Sequence, residues 1–237
     1  MPTFNERENL RRLIPILLAL PLDARIIVVD DDSPDGTGIL ADEFAAAHPS
    51  KVNVLHRKGE RGLGSAYRLG FQHALSLGVG AIVQMDSDFS HQPEMLVTML
   101  EKLTSADGVI GSRYVPGGSL DEKWPIWRKG LSHWGNFYAR SILSIRLKDV
   151  TGGFRVWKSE VIRAIPWERI RSNGYVFQIE TLYVAMRLGY SFAEVPIHFA
   201  DRTWGQSKLN WRIQFEAAWR VWWVLYTYRK LGPRASR

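Results

Sequence analysis

Arg25-Ile26-Ile27-Val28-Val29-Asp30-Asp31-Asp32-Ser33-Pro34-Asp35-Gly36-Thr37 is the stretch whose reading decides the fold. Residues 26–29 form a short, β-branched run with no polar alternation, as expected of a strand covered on both faces. The acidic Ser-Pro-Asp-Gly segment after it is turn chemistry, and a helix follows to about residue 47. The same alternation recurs downstream. Residues 52–55 read as a strand, 57–64 as a basic glycine-bearing loop and 65–77 as a helix. A third strand, 81–85, closes on Asp86-Ser87-Asp88, and Pro93 suits the first turn of a helix to 103. Residues 108–111 are a fourth strand leading to Ser112-Arg113-Tyr114. Upstream, Asn5 with Glu8 has the form of a capping box for a helix over 10–20, which Pro15 is expected to bend or end.

Strands separated by helices of ten or more residues predict an α/β fold, with a mainly parallel central sheet flanked by helices. Ligands of such sheets bind outside the carboxyl ends of the strands. Three of the four strands end there in charge: Asp30, Asp31 and Asp32; Asp86 and Asp88; Arg113. After Arg113 the pattern loosens around Pro116-Gly117-Gly118 and Trp124-Pro125. A helix over 127–143, a strand over 153–157, a helix over 177–188, a strand over 192–199 and a tryptophan-rich helix over 210–230 follow. The expected organisation is one domain over 1–209, then an amphipathic aromatic helix and tail over 210–237.

The chain has 237 residues and no cysteine, which excludes disulfide scaffolds, zinc-thiolate and iron–sulfur sites, and a cysteine nucleophile. Residues 1–112 hold ten basic and fifteen acidic side chains. Residues 113–237 hold 21 basic and nine acidic ones, within a total of +7. An acidic half followed by a basic half suits two tasks, holding a cation and holding a polyanion. The acidic half argues against a nucleic acid partner. No run reaches the roughly 20 apolar residues of a membrane span. The start of the sequence lacks a secretory apolar core, so the expectation is a soluble or peripheral protein on the cytoplasmic side.

Asp86 and Asp88, one residue apart at a strand end, can both reach one hard cation such as Mg²⁺ or Mn²⁺. The spacing alone fits a solvated loop equally well. Four carboxylates in Asp30 to Asp35 repel one another and call for hydrogen-bond donors or a cation, for which a nucleobase N–H and ribose hydroxyls are suitable. Gly62-Leu63-Gly64 is a weak phosphate-loop signal. His91 reads as a turn or surface histidine. GxxxxGK[ST], GxSxG and HExxH are absent, which lowers P-loop, serine hydrolase and zinc protease readings. Arg202 and Lys208 can clamp a phosphate from a Gly205 loop, or belong to a basic surface. The terminal stripe of Trp211, Phe215, Trp219, Trp222, Trp223 and Tyr226 lies on one helical face. It fits packing on the protein's own sheet or a bilayer interface.

Seven ordered motifs together resemble the dolichol-phosphate (polyprenol-phosphate) mannose synthases, family 2 glycosyltransferases of the GT-A fold. They are Pro2-Thr3-Phe4-Asn5-Glu6, Val28 to Thr37, Met85-Asp86-Ser87-Asp88, Gly111-Ser112-Arg113-Tyr114, Thr151-Gly152-Gly153-Phe154-Arg155, Gly174-Tyr175-Val176-Phe177-Gln178 and Arg202-Thr203-Trp204-Gly205-Gln206-Ser207-Lys208. The resemblance implies inverting transfer of mannose from GDP-mannose to a polyprenyl (dolichyl) phosphate at a membrane surface. It implies that Pro2, Phe4, Glu6, Val29 and Asp31 hold the guanosine, that Asp86 and Asp88 bind Mg²⁺ or Mn²⁺ with Ser90, and that the Ser87 backbone faces the donor. Asp88 and Arg113 are then the catalytic pair, and Arg113, Arg202 and Lys208 contact phosphates. Alternatives are a related synthase using UDP-glucose or another nucleotide sugar, and a non-catalytic nucleotide-binding module. Three departures stand out: Ser87 where the family has Ala, Phe4 where it has Tyr, and no strand before Pro2. The last raises the expectation that the natural protein starts upstream.

Overall fold

The computed structural model describes residues 1–59, 62–201 and 211–232. The predicted alternation is present. β1 (Pro2–Thr3) leads into α1 (Arg7–Ala19), then β2 (Ile26–Asp30), α2 (Thr37–Ala47), β3 (Val52–His56), α3 (Leu63–Ser76), β4 (Ala81–Gln84) and α4 (Met95–Lys102). The second half contains β5 (Gly108–Ser112), β6 (Ser119–Leu120), α5 (Ile126–Leu143), β7 (Arg155–Lys158), α6 (Ser159–Ala164) and α7 (Val176–Arg187). It closes with β8 (Phe192–Pro196), β9 (His198–Phe199) and α8 (Trp211–Tyr228).

The strands form a parallel sheet ordered β1-β2-β3, a sheet ordered β4-β7-β5-β8 and a small pair β6-β9. Pairing is parallel throughout except at β7, which runs antiparallel to β4 and to β5. Where a mainly parallel sheet was expected, β7 is thus inverted. That inversion places the loop before β7 at the same rim as the ends of β4 and β5.

The core lies between the sheets and their helices. Leu10, Ile14, Val28, Ala41 and Val52 join α1 and α2 to the parallel sheet. Met85, Met99, Val109, Phe154, Val156 and Val195 fill the space under α4. The largest cluster gathers Phe71, Trp157, Ile162, Phe177, Leu182, Val221, Val224 and Tyr228. At about 1.5–3 kcal/mol for each large apolar side chain, these clusters supply the main force opposing chain entropy.

Several local expectations are corrected. Asn5 and Glu8 do not form a capping box. Asn5 adopts φ 60° and its N–H is taken by Ser33 Oγ, while Glu6 occupies the cap position and accepts a bond from Asn9 Nδ2. Pro15 neither ends nor interrupts α1, which continues to Ala19. The single strand expected over 192–199 is two, because β8 pairs with β5 and β9 pairs with β6. The terminal helix divides its surface. Val221, Val224 and Tyr228 are buried against α5 and α7, while Trp219 and Tyr226 are 73% and 71% exposed.

Candidate active site

Strand register sets the geometry. Gln84 of β4 and Ile110 of β5 both pair with Arg155 of β7. Just beyond that row stand Met85 and Asp86, Gly153 and Phe154, and Gly111 to Arg113. Neighbouring strands lie about 4.8 Å apart, so the acids of β4 and the arginine of β5 flank the β7 approach within one rim.

The acidic side is a tight turn. Asp88 Oδ1 accepts bonds from Ser90 N at 3.1 Å and Ser90 Oγ at 2.6 Å. Phe89 sits at φ 62°, a left-handed conformation costly for a bulky residue, which marks the turn as strained. Tyr67 of α3 donates to Asp86 Oδ1 at 3.1 Å. Burial first, then the Asp86 charge, push the Tyr67 hydroxyl well above its usual range, so it remains a donor. Ser87, Asp88 and Ser90 are buried, and Asp86 is half-buried.

His91 is 1% exposed, which corrects the surface reading; its role in the turn is real. Its Nδ1 accepts the Asp86 N–H at 3.0 Å and its ring stacks on Phe154 at 4.8 Å. Burial lowers its pKa, with Asp86, Asp88 and Asp149 acting the other way and Arg113 reinforcing the fall. His91 thus links the Asp86 turn, through Nδ1, to Phe154 at the start of the β7 approach. Gly153 packs close to the acidic side: a Cβ built there would stand 3.3 Å from Gln178 Nε2, 3.7 Å from the His91 ring and 3.8 Å from Asp86 Oδ2.

The basic side is centred on Asp149, which the sequence did not single out. Asp149 is fully buried. Its Oδ2 accepts from Arg113 N and Nε at 3.1 and 2.7 Å, and its Oδ1 from Arg113 Nη2 at 2.8 Å and Gly152 N at 3.0 Å. Arg113 Nη2 also donates to Thr151 Oγ1 at 2.7 Å. Burial opposes both charges, but the pairing raises the Arg113 pKa and holds Asp149 below the usual carboxylate range. Beneath the rim, Arg155 is buried with its three donor nitrogens on the carbonyls of Gly152, Gln178 and Val150. Burial draws its pKa down to about 9, still protonated at neutral pH.

The residues expected to hold the guanosine gather at the ends of β1, β2 and β3, where Thr3, Asp30 and His56 are in register. The carboxylate crowding is offset by the protein's own donors. Asp30 takes Thr3 Oγ1, Ser33 Oγ and Ser33 N. Asp35 takes Thr37 N and Oγ1 and Arg7 N, which hold it below the usual range against the opposing effect of burial. Asp31 pairs with Arg57 at 2.9 Å and accepts Gly62 N at 3.3 Å. Pro2, Phe4 and Glu6 are half-buried on this side, and the Glu6 N–H donates to Thr37 Oγ1. Val29 lies in the core, with Cγ2 3.3 Å from where a Cβ on Gly70 would stand. Arg202 and Lys208 lie outside the described residues.

For a divalent cation the donors are all oxygen: two carboxylates and the Ser90 hydroxyl on one turn. Among the described residues no cluster of three or more histidine and carboxylate ligands occurs. A cation here must therefore complete its shell with phosphate and water, as Mg²⁺ and Mn²⁺ do at nucleotide sites. The residues fit such an ion.

Away from the rim, α5 exposes Ile126, Trp127, Trp134 and Phe137, and α8 exposes Trp219, Trp222 and Tyr226. Tyr138 joins the two helices. It stacks on Trp134 at 5.1 Å and accepts a bond from Trp222 Nε1 at 3.0 Å. No helix among the described residues is long and apolar enough to cross a membrane.

A family model described as Glycosyl transferase family 2 matches residues 1–165. The chain is 44% identical over 222 residues to the polyprenol monophosphomannose synthase of Mycolicibacterium smegmatis, covering 93% of this chain and 83% of that one. It is 45% identical over 221 residues to the undecaprenyl-phosphate mannosyltransferase of Micrococcus luteus, covering 93% and 90%. Among solved structures, the glucosyl-3-phosphoglycerate synthase of Mycobacterium tuberculosis in complex with Mn²⁺, UDP and glucosyl-3-phosphoglycerate aligns with a TM-score of 0.64. The identity is 17%, over 99% of this chain and 79% of that chain, a likeness of fold.

Proposed function

The chain belongs to glycosyl transferase family 2, and from that premise we propose that it transfers mannose from GDP-mannose to a polyprenyl phosphate with inversion at the anomeric carbon. One observation carries the reading. The carboxylates that follow β4 and the clamped arginine that follows β5 stand at one rim, on either side of the β7 approach, in a chain closely similar to two polyprenol-phosphate mannosyltransferases.

Asp86, Asp88 and Ser90 would hold Mg²⁺ or Mn²⁺. When bound, the ion supplies neutralisation of the diphosphate charge. Tyr67 fixes the Asp86 carboxylate, and Ser90 fixes that of Asp88. Asp31 and its Arg57 partner, with Pro2, Phe4 and Glu6, line the guanosine side. Val29 supports that side from the core, the Ser87 backbone faces the donor, and Arg202 and Lys208 are proposed to contact phosphate.

A phosphate monoester has its second pKa near ~6, so the acceptor is already largely dianionic and needs no strong general base. Its oxygen forms the new bond to the anomeric carbon as the bond to the β-phosphate oxygen of GDP breaks. The work left to the protein is alignment and offsetting repulsion between two anions. Arg113 suits that work. Asp149 fixes its Nε and Nη2 edge, and Nη1 has no protein hydrogen bond among the described residues.

The lipid acceptor also gives the exposed aromatic face a purpose. Trp and Tyr favour the bilayer interface, and the basic second half suits anionic headgroups. The protein is proposed to sit peripherally on the cytoplasmic face of a membrane, docked through α5 and α8. The test is lipid-linked mannose formation from GDP-mannose, a polyprenyl phosphate and Mg²⁺ by the native chain and by Asp88→Ala. The account expects loss of at least a thousandfold in the variant, and near-normal turnover would overturn it.

A further inference from the structure

The segment from Lys148 to Val150 belongs to no helix or strand, yet its backbone is bonded almost throughout by side chains. Asn136 of α5 donates from Nδ2 to the Lys148 carbonyl and accepts the Val150 N–H on Oδ1 at 2.9 Å. Glu194 of β8 accepts the Lys148 and Asp149 N–H groups at 2.8 and 2.9 Å. Arg155 Nη2 takes the Val150 carbonyl. Buried backbone groups must find partners, and an irregular segment that obtains them from three separate elements is fixed in one conformation. What that conformation presents is the Asp149 carboxylate, and with it the fixed edge of Arg113.

We propose that Asn136, assisted by Glu194, is a positioning residue for Arg113. It brackets Asp149 from both sides and so sets where the guanidinium meets the acceptor phosphate. The inference rests on the reading of Arg113 as a phosphate-contacting residue. Asn136 is 4% exposed, while Trp134 and Phe137 on the same helix face outward. The helix proposed to lie on the lipid is therefore the one that places the residue receiving the lipid's phosphate. Asn136 touches no reacting group, so its effect should fall on one substrate and travel through Arg113.

The test is a kinetic cycle on the full chain, with a polyprenyl phosphate and GDP-mannose varied separately. Asn136→Ala is expected to raise the acceptor KM at least fivefold and leave the donor KM within twofold. Asn136→Asp keeps an oxygen for the Val150 N–H but loses the donor to Lys148, and is expected to move the same way by less. It serves if the alanine variant does not fold. Arg113→Lys alone is expected to raise the acceptor KM. Adding Asn136→Ala to it should cost less than a further twofold, because the positioned group is already altered. Asn136 variants that move both KM values equally, or neither, overturn the inference, as does a double variant whose losses multiply. An Arg113→Lys variant with unchanged acceptor KM would instead defeat the reading of Arg113, and the inference with it.

Discussion

Replacing Asp149 with asparagine should cost about 3–5 kcal/mol of folding stability, the expected penalty for stripping a buried ion pair of one charge. The side chains of Arg113 and Asp149 are 9% and 0% exposed, so solvent screens neither. Asp149 Oδ2 accepts two N–H groups of Arg113, and Oδ1 accepts Arg113 Nη2 and Gly152 N. Whichever way the amide is turned, its NH₂ faces donors that previously had an acceptor. Losing two bonds to a charged partner, at about 1.5–3 kcal/mol each, gives a similar total; the two figures describe one loss and do not add. With a urea m-value near ~3 kcal/mol/M, the unfolding midpoint should fall by about 1–2 M at pH 7, followed by tryptophan fluorescence. Removing both charges with Arg113→Met and Asp149→Leu should recover part of the loss. The sign with pH follows from the lowered carboxyl pKa. The stabilisation is fully present above the unfolded value of about 3.9 and is lost as pH falls through the lower folded value, so native and variant should converge in acid. A midpoint shift under about 0.3 M at pH 7 would refute the buried-pair reasoning.

Tyr67→Phe removes the hydroxyl from Asp86 while keeping the ring that stacks on Phe177. Supporting hydrogen bonds to metal ligands are typically worth about 10–100-fold in affinity, so the Mg²⁺ concentration for half-maximal activity should rise by that order. An unchanged metal titration would remove Tyr67 from the site. Trp219→Ala with Trp222→Ala should weaken flotation with anionic liposomes severalfold and lower the unfolding midpoint only slightly, since Trp219 is mostly exposed and Trp222 gives up one exposed hydrogen bond to Tyr138. Unchanged partitioning would remove α8 from the lipid contact.

How much of this was legible in the sequence depends on the range of the interaction. β2 and β4 carry their own signal, because a β-branched run ending in acids needs no distant partner to be read. Asp86 and Asp88 fall on one turn and are visible together for the same reason, whereas Ser90 entered only through the family resemblance. Asp149 was not visible as a site residue. Its meaning comes from Arg113, 36 positions earlier, and from a β7 whose antiparallel direction no local pattern announces. Tyr67 sits on a helix whose spacing explains it as core, and only the fold brings its hydroxyl to Asp86. His91, read as a turn or surface histidine, belongs to the turn but is buried, because one polar residue in a turn gives no sign that Phe154 will cover it. The capping box failed because Ser33, from another turn, took the Asn5 N–H first.

The most direct test of the account offers the purified chain a polyprenyl phosphate with GDP-mannose, isotopically labelled in its mannose, and unlabelled UDP-glucose together, with Mg²⁺ or with a chelator, and weighs the lipid product to read which hexose it carries. The account predicts a product heavier by one hexose, drawn from GDP-mannose, formed with Mg²⁺ and absent with chelator. Hexose drawn from UDP-glucose, or equal product in the chelated reaction, would contradict it.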